Sequence, residues 1–344
     1  MKEQNNCLNF FKGLACIFVV SLHVRFPVSY IDGPIQALAR FAVPFFFMVS
    51  GYYCYYEDNE VSRSRMPNKI KHIGILCLGA FTFWFLFIFA TKIIGGSWQS
   101  IAEWLLEVFS WQSVLRLVLW NVDPFINVLW FFFALLYCYI IYYLFIAIKK
   151  RNILKILVIP LLIVHFVMGN ILGGIFNIGM AADYCRNAWL MGLPLFMIGN
   201  MLREYQTKIQ EKITRRRALI GIVSGGVLSI GEWLLVGGRQ QMWIGSIIAA
   251  ACMIIFAQQV AKRYVIKPVA VIGQKYSMLV YVLHWAVIIL LGKVTDFIGI
   301  SDVFVYQCFR PTTVILLSVV AAIVVDFIYR RIKFFVANRK ERMS

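Results

Sequence analysis

Ten runs of mainly apolar residues, each near the length a helix needs to cross a bilayer, follow one another along this chain with short polar connections between them. A membrane-spanning helix takes about 20 such residues. The runs fall at 8–26, 35–55, 73–94, 127–148, 153–170, 186–202, 218–236, 243–260, 277–291 and 312–335. Of the 344 residues, 61% are hydrophobic and 15% charged, and the mean hydropathy is +0.77. A soluble domain of that composition would lack the polar surface to face water. The expected fold class is therefore all-α: a polytopic integral membrane protein of about ten transmembrane helices, with residues 1–344 as a single transmembrane domain.

The net charge of +18 does not read as a nucleic-acid surface, because the basic residues form short clusters between apolar runs and no continuous face. With the first end in the cytoplasm, 24 Lys and Arg fall on the inner side and eight at or near the outer side. Inner clusters include Arg63, Arg65, Lys69 and Lys71, then Lys149 to Arg151 with Lys155, and Arg215 to Arg217. Every inner connection obeys the positive-inside rule, which predicts both ends in the cytoplasm. One missed helix would invert everything after it. The segment 101–120 carries Glu103, Glu107, Arg116 and four recurring tryptophans, and is predicted to lie in the outer interface without crossing. The first apolar run contains Lys12 and ends near His23 and Arg25 with no small-residue cleavage site, so a retained anchor helix is expected. Eight dispersed cysteines show no spacing suited to a metal or a disulfide framework and read as apolar packing residues.

In a membrane helix an ionisable side chain is costly, by about 2.5 to 3.5 kcal/mol at the centre, and tends to face a protein interior or a wet cavity. By depth, His23, Arg40, Asp183, Arg186, Asn187 and Glu232 all belong to the outer half. Lys12 and His23 are eleven residues apart, so on one helix they share nearly the same face, separated by ~16.5 Å along its axis. Ser277, Tyr281 and His284 at i, i+4 and i+7 set two hydroxyls and an imidazole on one stripe of the ninth helix. Such a stripe also serves as interhelical glue. Neutral imidazole can take a proton near pH 7 and return it. No Gly-rich phosphate loop, HExxH or GxSxG motif is present, so any chemistry is built from residues on different helices.

These residues resemble the membrane acyltransferase 3 family, which O-acylates sugars and other acceptors at bacterial surfaces. The stretch from Lys12 to His23 looks like the family's opening helix, with a cation eleven residues before a histidine. The run from Arg40 to Ser50, Gly51 and Tyr52 is similar to its second-helix signature. Leu129 with Trp130, the run from Asp183 through Arg186 and Asn187 to Phe196, and the stripe Ser277, Tyr281, His284 complete the order. The resemblance implies an acyl-CoA donor, acetyl-CoA in the simplest case, supplied from the cytoplasm, with no bound cofactor or metal. The acceptor would be a surface glycan or similar hydroxyl, and the membrane the bacterial cytoplasmic membrane. His23 is then the catalytic base and Arg40 a structural or charge-stabilising partner. Lys12 stands where arginine is usual, keeping the charge but losing the planar fork that grips phosphate bidentately.

The Arg40 to Tyr52 and Asp183 to Phe196 runs are also similar to the membrane portion of the vancomycin-resistance serine racemases, a portion implicated in serine supply. Two functions follow. In an acyltransferase, Arg40 or Arg186 would stabilise the oxyanion or hold the acceptor, Glu232 would orient His23 or bind sugar, and Trp130, Asp183, Asn187, Ser277, Tyr281 and His284 would line the substrate chamber. Lys12 and the basic stretch Arg63 to Lys71 would attract CoA phosphates. In a transporter for a serine-like zwitterion, Arg40 or Arg186 would grip the carboxylate while Asp183 or Glu232 faced the ammonium group.

Overall fold

The computed structural model describes residues 5–126, 128–176, 178, 182–237, 240–260 and 265–341. Among these there are helices and no strand. In chain order they are α1 (Asn6–Ser21), α2 (Ser29–Ala39), α3 (Ala42–Tyr52), α4 (Asn59–Gly95), α5 (Trp98–Val108), α6 (Trp111–Trp120), α7 (Trp130–Ala147), α8 (Arg151–Ile156) and α9 (Val158–Phe166). They continue as α10 (Ala182–Cys185), α11 (Leu193–Glu204), α12 (Gln206–Lys212), α13 (Arg215–Val236), α14 (Ile244–Gln259), α15 (Lys267–Val271), α16 (Ser277–Phe297) and α17 (Phe304–Glu341). Wider π-helical turns occupy Val167–Ile175, Ala188–Gly192 and Ile272–Tyr276. They follow α9, precede α11 and join α15 to α16.

Seven helices among the described residues are long and apolar enough to cross a membrane. The first, sixth and eighth apolar runs form shorter helices: α1 and α14 have 16 residues each, and α11 has 12. By contrast, α4 has 37 residues and α17 has 38. At 1.5 Å per residue each is ~55 Å long, well beyond a hydrocarbon core of ~30 Å. Their exposed faces are apolar over long stretches, with Ile75, Leu78 and Leu86 on α4 and Leu316, Val320 and Phe327 on α17. That is the surface expected where the solvent is lipid.

The segment expected at the interface forms two helices, α5 and α6. Ser110 ends the first by capping the second, its hydroxyl accepting from Ser113 N–H at 3.2 Å. Ile101, Trp104 and Val108 form the buried stripe of α5, with Trp104 stacked on Phe85 of α4. Trp98, Leu106, Phe109 and Trp111 stay exposed. An amphipathic pair with apolar residues outward is suited to an interface.

The chain forms two compact units, Met1–Ala42 with Val260–Ser344, and Val43–Gln259. In the first, α1 packs against α2, α15, the Ile272–Tyr276 turn, α16 and α17. Two glycines set that packing. A Cβ on Gly13 would overlap the Val269 carbonyl, and one on Gly273 would overlap the Asn9 carbonyl and the Gly13 nitrogen. Backbone touches backbone there, as in the small-residue crossings of membrane helices.

The second unit repeats the device. Gly51 of α3 lies against the Phe196 carbonyl of α11, and Gly199 of α11 against the Met48 carbonyl of α3. Gly225 of α13 and Gly245 of α14 make a third close crossing. Asn200, fully buried, donates to the Tyr142 hydroxyl at 2.9 Å and the Gly51 carbonyl at 3.3 Å, tying α11 to α7 and α3.

Candidate active site

His23 does not sit within the first helix. That helix ends at Ser21, and the His23 N–H reaches back to the Val20 carbonyl at 3.0 Å in a tight turn. Pro27 follows and disfavours helical backbone at the residue before it. The axial reading of Lys12 and His23 on one continuous helix therefore changes near its end: Lys12 is helical, and the turn sets the imidazole's direction. Two residues that the sequence reading passed over hold this turn. Buried Asp32 accepts the Phe26 N–H at 3.1 Å and pairs with Arg25 at 3.6 Å. Gln36 donates to the Ser21 carbonyl at 2.7 Å. Their i, i+4 spacing on α2 was the available signal.

The turn brings His23 to the ninth-helix stripe. The His23 and His284 rings lie 5.0 Å apart between centroids, tilted by 35°. Trp285 stands 5.5 Å from His23, and the Tyr281 ring 6.0 Å from His284. His284 is fully buried. Its Nδ1 lies 2.8 Å from the Tyr281 carbonyl and 3.2 Å from that of Val280. Carbonyls only accept, so Nδ1 carries the proton and Nε2 is left with its lone pair. Nε2 is buried and, among the described residues, has no hydrogen-bond partner.

Further along α1, the buried Cys16 thiol donates to the Ser277 carbonyl at 3.7 Å, and the Ser277 hydroxyl donates to the Gly273 carbonyl at 3.2 Å. Lys12 is half-buried one turn before Cys16, against the same widened turn that Gly273 seats on α1. Arg40 is half-buried at the C-terminus of α2. Of the sequence candidates, this unit thus holds Lys12, His23, Arg40, Ser277, Tyr281 and His284, with the two histidines in ring contact.

The second unit holds the others. The Arg186 guanidinium lies over the buried Trp130 ring, 5.4 Å from its centroid, a cation–π pairing. Fully buried Asn187 accepts from the N–H groups of Trp189 and Leu190, each at 2.9 Å, and donates to the Tyr184 carbonyl at 2.9 Å. It is the cap of the Ala188–Gly192 turn. Glu232 accepts the Gly245 N–H at 3.2 Å and so serves the first turn of α14. Asp183 belongs to α10, and its side chain lies outside the described residues.

The basic stretch expected in a loop is helical, forming the first turns of α4. Arg65 donates to the Tyr56 hydroxyl at 3.0 Å, and Lys69 to the Tyr53 carbonyl at 2.5 Å. Arg63 pairs with Glu60 at 3.7 Å, and Lys71 is exposed. Glu204 gathers two more cations of this unit, Lys155 at 2.6 Å and Arg151 at 4.0 Å. In the sequence, Arg151 and Lys155 stand out only as part of an inner basic cluster.

A comparison with curated proteins and one with solved structures each return no match. The comparison with family models does: the acyltransferase 3 model, described as an acyltransferase domain, matches residues 5–331. This match covers nearly all of the chain, and its helices are those of a multi-pass membrane protein. The protein belongs to the acyltransferase 3 family and is a membrane acyltransferase.

Proposed function

We propose that the protein is an O-acyltransferase of the bacterial cytoplasmic membrane, moving an acetyl or similar acyl group from cytoplasmic acyl-CoA to a hydroxyl of a cell-surface glycan or related acceptor. The observation that carries this reading is the pair of imidazoles, His23 and His284, in ring contact at the end of α1. His23 acts as general base. It takes the proton of the acceptor hydroxyl as that oxygen attacks the thioester carbonyl. The C–S bond then breaks, and the departing thiolate takes the proton from the imidazolium as free CoA. General bases of this kind contribute about 10²- to 10⁴-fold.

Positive groups serve the charges of the reaction. Arg40 stabilises the developing oxyanion, and Lys12 attracts CoA phosphates. Arg186 on Trp130 offers a planar cation and ring for the acceptor. The whole chain works as one ten-span domain with both ends in the cytoplasm, in line with its distribution of Lys and Arg. That topology gives the donor and the acceptor access from opposite sides.

The test is incubation of membranes containing the protein with radiolabelled acetyl-CoA, followed by extraction of glycan and lipid. Label in the glycan fraction is expected, and its loss by at least about 10²-fold in His23→Ala, with the variant still inserted. Full transfer by His23→Ala would remove the histidine from the chemistry. Label in no fraction would overturn the choice of donor.

A further inference from the structure

We propose that His284 is the positioning residue for His23: a fixed-tautomer imidazole whose Nε2 accepts a hydrogen bond from the His23 ring and holds it in one orientation as a base. The inference rests on the reading of His23 as general base, and goes beyond it by assigning the group that controls that base.

Three observations carry it. The two rings are 5.0 Å apart between centroids and belong to the same compact unit, on the turn after α1 and on α16. The His284 tautomer is set by its own helix, because two backbone carbonyls share Nδ1 and demand its proton. The remaining nitrogen can then only accept, and it is buried with no hydrogen-bond partner among the described residues. Leaving a buried acceptor unsatisfied costs about 1–3 kcal/mol. A hydrogen bond donated by a His23 N–H to this Nε2 would remove that cost, and the accepting nitrogen would stabilise the imidazolium formed when His23 takes the acceptor's proton.

This is the division of labour in which one group exchanges the proton and a second, hydrogen-bonded to its far nitrogen, fixes tautomer and orientation. Here a neutral imidazole takes the place of the carboxylate often found in that role. A carboxylate would bring a charge into the membrane interior, where ionised groups are costly. Imidazole orients at no net charge.

The experiment compares His284→Phe and His284→Gln with the unaltered protein, in membranes, by initial rates of acetyl transfer across pH. Phe fills the space without an acceptor, and Gln returns an amide oxygen near the Nε2 position. His284→Phe is expected to lower kcat by at least about tenfold with the acceptor KM within about twofold. It should also move the acid limb of the kcat profile to lower pH, since an N–H acceptor that favoured the imidazolium is gone. His284→Gln is expected to recover part of the lost kcat. The other ionisable groups on α1, α2, α16 and α17 of this unit include Cys16, Asp32, Arg40, Tyr281, Tyr306 and Arg310. They are unchanged in both variants, so the profiles are read as differences.

A raised acceptor KM at unchanged kcat would make His284 a substrate-binding residue and overturn the proposal. So would an unmoved acid limb with Gln no better than Phe, which is the pattern of a packing role. Melting temperatures of the purified variants in detergent accompany the rates, and a kcat loss that tracks melting also counts against it. His23→Ala in parallel separates the two claims. If it is inert while His284→Phe is normal, only the positioning role fails; if it is active, the reading of His23 fails.

Discussion

Single residues divide between chemistry and architecture, and their partners decide which. Asn187 lies inside a motif that reads as substrate-binding, yet its amide is engaged with the backbone at Tyr184, Trp189 and Leu190. Asn187→Ala is expected to destabilise the protein by about 1–2 kcal/mol, the usual cost of losing a helix cap, while leaving the acceptor KM unchanged. Melting in detergent beside steady-state rates checks both halves; a raised KM at unaltered melting would return Asn187 to the binding site. His23 and His284 show the limit of reading residues one at a time. Each was recognisable from polarity and spacing, but they are 261 positions apart in sequence. Nothing local to either specifies a ring contact between them. Asp32 and Gln36 were missed for a related reason, since what they hold is backbone N–H and C=O in a turn that has no sequence mark of its own.

Elements meet where side chains vanish. Gly13 and Gly273 let α1 touch the α15–α16 segment by backbone, immediately beside Lys12. Gly13→Ala and Gly273→Ala each place a Cβ on main-chain atoms that have no rotamer to yield. Both are expected to lower stability by about 1–3 kcal/mol or more, as overpacked cores do, and to lose transfer activity with it. Gly74 on α4 has open space around its Cβ position. Gly74→Ala is the matched control and is expected to be neutral or stabilising by up to ~1 kcal/mol, on helix propensity. Thermal melts of the three proteins in one detergent decide; equal melting of Gly13→Ala and Gly74→Ala would contradict the crossing. Two of the three π-helical turns, Ala188–Gly192 and Ile272–Tyr276, fall in or directly before stretches that carry the family resemblance. Turns of this kind are frequent at functional sites. Apolar periodicity gives no warning of them, because one added residue per turn leaves the composition unchanged.

For the whole molecule the testable statement is topology. A reporter fused after Lys150 is expected to be cytoplasmic and one fused after Trp111 external, as paired cytoplasm-active and exterior-active reporters would record. The reverse result at either position would break the ten-span reading. Membrane residence, helical class and the approximate places of seven spans were legible in the sequence, because a solvent of hydrocarbon imposes length and apolarity on every crossing element. The charge asymmetry was legible for the same kind of reason, being a property of connections and not of contacts. Helix ends were less so, as the stop at Ser21 shows, since a cap or a following proline shifts them without altering the apolar run. The sequence by itself determined that this chain is a multi-pass helical membrane protein of an acyltransferase kind with an unusual histidine near the end of its first helix. Only the tertiary structure decided that His284 is that histidine's neighbour, because the juxtaposition depends on glycine-level contact between distant helices and on a turn held by hydrogen bonds.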